Sequence, residues 1–292
     1  MIGRMTHGSR DALRLLASRH LSPVDAEKWI GLLRPGVRLE VATGSDDVAG
    51  RLGGLPALPT AAEWPVREGH GPLSFIASID CARLSVAALD MDLPAAGTLL
   101  FFYFDGQLDD GDALVLAEDR ESWAGARVLH VAADEEVAER GAPAGLKPYP
   151  VVPLTARVEM TATEPWHPSM RAAFAPAAPL GNRYDHPVCS QEFLDALWEF
   201  DDEVGHRIGG HAHSVQNPVE LEIAEAVLDG EVSWDDPRLS EEAGGWVLLA
   251  QFDSEEAADM MWGDAGALYW LIRPEDLAER RFERAMFTWQ CG

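Results

Sequence analysis

The chain has 292 residues, 47% of them hydrophobic and 25% charged, a balance that fits a globular protein with an ordinary core and excludes a disordered one. Its 49 acidic residues outnumber 23 basic ones, and the net charge of -26 repels phosphate backbones, so nucleic acid is not an expected partner. No apolar run approaches the ~20 residues of a membrane span, and three scattered cysteines (Cys81, Cys189, Cys291) with no leader read at the N-terminus point to a reducing cytoplasm.

Taken in order, the chain first offers a basic helical arm, residues 1–36. Ser9 to His20 reads as an amphipathic helix. Ala12, Leu13, Leu16, Ala17 and His20 share one face, and Arg10, Arg14 and Arg19 point elsewhere. A second helix spans Pro23 to Leu33 and stops at Arg34-Pro35-Gly36. The arm is expected to pack on the body, not to lie on a membrane.

Residues 37–164 read as the first half of an α+β domain. Strands are expected at Val37–Ala42, Leu73–Ile79, Thr98–Phe104, Ala113–Leu116, Arg127–Val131 and Val151–Met160. Between the first two lies a glycine- and proline-rich loop starting at Arg51. The run Thr98–Phe104 is so aromatic that both its faces should be covered. Residues 165–187, dense in proline, read as a connection. The second half, 188–292, opens with a helix capped by Ser190, with Phe193, Leu194, Leu197 and Trp198 inward. A helix after Pro218 ends at Asp229-Gly230, and strands follow at Trp246–Phe252 and Ala267–Ile272.

Three blocks recur in the same order. Arg51-Leu52-Gly53-Gly54 parallels Arg207-Ile208-Gly209-Gly210. Phe75 to Asp80 parallels Leu248 to Asp253, and Gly97 to Phe101 parallels Gly266 to Trp270. An internal duplication is therefore expected: two related halves, mostly antiparallel sheet, packed together. The Gly-Gly-x-Pro loop, the strand Pro72-Leu73-Ser74-Phe75-Ile76-Ala77-Ser78-Ile79-Asp80, the strand from Gly97 and the ending Met261-Trp262-Gly263-Asp264 resemble the YwqG-like bacterial family. Ser78 and the histidines after Gly210 depart from that pattern. The resemblance implies a mixed α+β cytoplasmic protein and carries over no catalytic residue.

Candidates for chemistry are few. His206, His211 and His213 could offer metal ligands with Glu220 or Glu222, but the spacing is not a zinc spacing, and they read as loop histidines. Asp80 and Asp253 end equivalent strands and read as caps, with Glu256 completing a capping box after Asp253. Trp262, Asp264, His211 and His213 form the candidate ligand-binding set. No nucleophile elbow or phosphate loop occurs, so no catalytic residue, metal or cofactor is assigned. The expected role is binding, with another protein of basic surface as partner, its association slowed by charge reversal at Asp201, Asp202 and Glu203. The alternative is a hydrolase or small-ligand enzyme with a site between the halves.

Overall fold

The computed structural model describes residues 9–177, 180, 184–200, 204–230, 232–234 and 236–292. Ten strands form one sheet: β1 (Arg34–Val41), β2 (Val48–Leu52), β3 (Ser74–Asp80), β4 (Thr98–Tyr103), β5 (Ala126–Val131), β6 (Val152–Thr161), β7 (His206–Gly209), β8 (Val247–Asp253), β9 (Ala267–Ile272) and β10 (Met286–Gln290). Their spatial order is β10-β9-β8-β7-β1-β6-β2-β3-β4-β5, and each neighbouring pair is antiparallel. β1 and β6 make the centre, paired from Arg34↔Thr161 to Val41↔Leu154. A wing of four strands extends on each side.

The sheet does not stay open. Phe101 on β4 meets Phe252 on β8 and Trp270 on β9 edge-on, with ring centroids 5.0 and 5.3 Å apart. Tyr103 on β4 stacks on Phe287 of β10 at 4.8 Å. β4 and β8 are six places apart, which in a flat sheet would separate them by roughly 29 Å. The wings therefore curl until their inner faces share one apolar core. Leu99 to Tyr103 are all buried, as the aromatic run demanded.

The wings correspond in detail. Gly53 and Gly54 have φ of +61° and +77°, and Gly209 and Gly210 have +65° and +72°. Each pair turns the chain in the left-handed region that glycine enters without penalty. The preceding arginine clasps each turn at a carbonyl four residues on: Arg51 Nη2 donates to Leu55 O (2.5 Å) and Arg207 Nη1 to His211 O (3.2 Å). Arg51 pairs with Ser78, and Arg207 with Gln251. The β3–β4 register shifts between Phe75 and Ala77, and the β8–β9 register between Leu248 and Ala250, at matched positions. Each first strand then enters a short 3-10 turn, after the next residue's N–H, of Cys81 or Ser254, donates to the Gly97 or Gly266 carbonyl at 3.0 Å.

Helices cover the sheet unequally. Helices α1 (Arg10–His20), α2 (Pro23–Ile30), α3 (Pro168–Phe174) and α4 (Gln191–Trp198) share a second apolar cluster, in which Trp29 meets Phe193 at 5.3 Å. Ser9, Ser22 and Ser190 cap their helices, each accepting from the N–H three residues on. Helix α5 (Val219–Val227) lies on the outer face of β8 and β9 through Val219, Ile223 and Ala226. Its other side meets α6 (Pro237–Ala243), and α7 (Pro274–Ala278) follows β9.

Several expectations are corrected. Ala113–Leu116 is not a strand. Arg67 Nη1 donates to the Ala113 carbonyl at 2.5 Å, and the Ser122 hydroxyl serves both the N–H and the carbonyl of Leu116. Side chains thus take the backbone groups a neighbouring strand would have used. Arg51 and Leu52, expected to open a loop, instead end the strand Val48–Leu52, because β6 and β3 flank it. The proline-rich connection contains α3, since Pro168 suits a first helical turn. Trp198 is not inward: it is 68% exposed at the end of α4.

Candidate functional site

The four residues singled out from sequence do not form one site. Trp262 is a core residue, its ring edge-on to Tyr103 and Tyr149 at 6.0 and 5.9 Å. Its indole N–H donates to the Asp253 carbonyl at 3.2 Å, and its backbone N–H to Ser254 Oγ at 2.9 Å. Asp264 is exposed on the turn before β9, and its carbonyl accepts the Gly292 N–H at 3.0 Å.

The histidines diverge as well. His206 Nδ1 accepts the Asp253 N–H at 3.0 Å, while Nε2 lies 3.8 Å from Glu255. Burial pushes its pKa down to about 4, against the pull of Glu255. His211 Nε2 lies 2.8 Å from the Leu32 carbonyl, which fixes a neutral tautomer with the proton on Nε2. Burial first, and the neighbouring His167 second, hold its pKa near 4. The two rings are spent on tethering backbone. Beyond Gly209 the strand ends, so His211 and His213 are not a strand pair. The His213 N–H donates to Gln251 Oε1, and its carbonyl accepts the Tyr269 hydroxyl, both at 2.9 Å. Among the described residues, no three His, Cys, Asp or Glu side chains converge as a metal site would require.

A hollow of about 250 Å³ opens where α1, the chain leaving β6, α4 and the end of β7 meet. Arg207, 1% exposed, lies at its floor with Nη2 on the Val204 carbonyl at 3.2 Å. Glu164 stands on its wall. Burial and then the charge of Glu220 push this carboxyl up to about 8, while a hydrogen bond from Trp166 works against them. It is therefore a neutral acid at pH 7. Trp166, Trp198, Asp195 and His213 also line the hollow. An adjoining hollow of about 250 Å³ shares Pro165, Trp166 and Leu194 and runs on to Tyr184 and Trp234.

Behind this wall lies a polar cluster. His167 caps α3 by accepting the Ser169 N–H at 3.2 Å, and its Nε2 lies 3.6 Å from Glu220. The His167 and His211 rings are 5.6 Å apart. Burial alone would raise the Glu220 pKa, but His167, the backbone and His211 outweigh it and leave it below the ordinary value. Two carboxyls thus sit close with opposite leanings, Glu164 proton-bearing and Glu220 ionised. The sequence names His211 and Glu220 but not Glu164 and His167, because residues 165–187, which begin right after Glu164, read as a linker. The signal was the run Glu164-Pro165-Trp166-His167-Pro168, too rich in rings for a solvated connection.

A family model described as a domain of unknown function (DUF1963) matches residues 50–291. The chain belongs to this family. No curated protein matches it. The DUF1963 match takes in both wings and the hollow's polar residues, and leaves α1, α2 and β1 outside. On the surface of the DUF1963 domain, beyond α5, a more open hollow of about 680 Å³ is lined by Glu118, Asp119, Glu121, Glu225 and Asp229. Arg120, also lining it, pairs with Asp229 at 2.5 Å. Glu222 at its back receives hydrogen bonds from Thr288 (2.9 Å) and Gln290 (2.6 Å), yet burial still pushes it up to about 7. Burial also pushes the Cys81 thiol up to about 12, so it holds no thiolate at neutral pH.

Proposed function

We propose that the protein binds a small, largely apolar molecule in the hollow beside Glu164. The observation that carries this reading is a neutral acid set among Trp166, Trp198 and Leu194 in a recess of about 250 Å³. Apolar walls with a few convergent polar groups suit a ligand whose body is buried and whose one polar group is read. The site lies between sheet and helices, with Met160 to Glu164 of the first half on one side and Gln191 to His213 of the second on the other. Thermal-shift and tryptophan-fluorescence titration with small aromatic compounds tests the reading. Binding should vanish in Leu194→Trp, which fills both recesses. Unchanged binding in that variant would move the site elsewhere.

A second reading, a protein partner with a basic surface, draws on the open hollow whose rim carries five carboxylates against Arg120. Asp201, Asp202 and Glu203, expected to tune such association, lie outside the described residues. We further read the wings as copies of one ancestral unit. The matched bulge, glycine pair and arginine clasp support this. The YwqG-like kinship rests on the Gly-Gly-x-Pro loop, the strands from Pro72 and Gly97 and, most specifically, the Met261-Trp262-Gly263-Asp264 ending. A cytoplasmic location fits the three free cysteines.

A further inference from the structure

We propose that the occupant of the hollow is an organic cation, an ammonium on an apolar or aromatic body, held against Trp166 and Trp198 with its charge beside Glu164 and Asp195. This rests on the reading of the hollow as a ligand site. Three observations select a cation. Two indoles line the recess, and the face of an indole attracts positive charge more strongly than any other side-chain ring. Asp195 lines the recess as a carboxylate and Glu164 adds a second once it ionises, while the guanidinium at the floor has its Nη1 and Nη2 engaged by the carbonyls of His211 and Val204. Glu164 also has a second carboxylate, Glu220, near it, and Glu220 lies 3.6 Å from His167 Nε2. A buried carboxyl without a counter-charge stays neutral. A bound cation supplies that counter-charge. An anion would face both carboxyls.

The arrangement carries a pH signature. Glu164 bears its proton below about 8, and a cation of fixed charge expels it. Affinity should therefore rise up to about tenfold per pH unit below that value and level off above it. Among the described residues, the other charged or titratable groups around this carboxyl are Asp195 on α4, Arg207 on β7 and His213 after it, which line the same hollow, and Glu220 on α5 and Tyr269 on β9, which interact with its charge; burial keeps the Tyr269 hydroxyl protonated. Protonation of His213 would also repel a cation, so Glu164→Gln is needed to separate the two.

The test titrates the full chain with phenyltrimethylammonium, with tert-butylbenzene as its neutral isostere and with benzoate, following tryptophan fluorescence and heat. The cation should bind at least about tenfold tighter than the isostere at pH 8, and benzoate should not bind. Glu164→Gln should abolish most of the pH slope. Trp198→Ala should weaken the cation about tenfold without shifting thermal unfolding, because that ring is 68% exposed. Equal binding of cation and isostere, both blocked by Leu194→Trp, would overturn the cation and keep the ligand site. Binding of none of the three, or cation binding that Leu194→Trp leaves intact, would overturn the cation in this hollow. If small aromatic compounds also fail to bind there, the ligand site falls with it.

Discussion

Asp253 joins two distant backbone segments. One carboxylate oxygen accepts the Gly205 N–H at 2.9 Å and the other the Ser254 N–H at 2.8 Å. The turn that follows is capped by Glu255, which accepts from Ala257, so the capping box expected from Glu256 does not form. Asparagine has one acceptor oxygen where two are used. Asp253→Asn should lose about 1 kcal/mol and Asp253→Ala about 2 in urea unfolding. Asp80, capping Ala82 with a half-exposed side chain, should tolerate Asn with little loss. Equal tolerance at both positions would show that the Gly205 bond contributes nothing. The buried acids and histidines set a second expectation. Glu222 and Glu164 keep their protons to about 7 and 8 in the folded chain, whereas the unfolded chain has lost them, so each weakens the fold as pH rises. His206 and His211, held near 4, act oppositely between about 4 and 6.5, where only the unfolded chain binds their protons. From about pH 6.5 to 8 the carboxyls act alone, and stability should fall by on the order of 2 kcal/mol. The double variant Glu164→Gln/Glu222→Gln should flatten that decline at constant ionic strength.

Equivalent elements in the two wings carry different strain. A Cβ on Gly53 would stand 2.2 Å from the Pro150 carbonyl oxygen, part of a backbone that cannot yield. A Cβ on Gly209 would meet the Met91 sulfur at 2.6 Å, the far end of a flexible side chain. Both alanines pay about 1 kcal/mol for the left-handed conformation. Gly53→Ala should therefore lose more than about 3 kcal/mol in total, and Gly209→Ala about 1–2. At this scale much was legible in the sequence. The strand–turn–strand blocks and their order could be read because alternation, aromatic runs and paired glycines are local signals. The failed strand at Ala113–Leu116 was not, since the donors that satisfy it, Arg67 and Ser122, reach it through tertiary structure. The hollow was equally hidden. Leu13, Glu164, Leu194 and Arg207 are far apart in the chain and meet only because β6, β7 and the helices converge.

The molecule as a whole is tied across its middle by rings. Phe101 touches Phe252 and Trp270 in the opposite wing, so neither wing has a closed core of its own. Phe101→Ala should lose about 3–5 kcal/mol and still unfold in one transition, by both far-ultraviolet circular dichroism and tryptophan fluorescence. Two separated transitions would mean that the wings are independent.

The position of β1 bears on how the chain is made. Arg34 and its partner Thr161 are 127 residues apart, and the other neighbour of β1, β7, comes later still. During synthesis this strand emerges early and waits, both edges bare, until β6 and β7 exist, a long-range closure that slows folding and invites capture by chaperones. The family match begins at residue 50 and so omits it. A polypeptide trimmed to 50–291 would retain every residue of the match and leave β6 and β7 facing an empty slot. Such a fragment should aggregate or exchange strands between copies, and supplying residues 34–41 as a peptide should rescue its solubility.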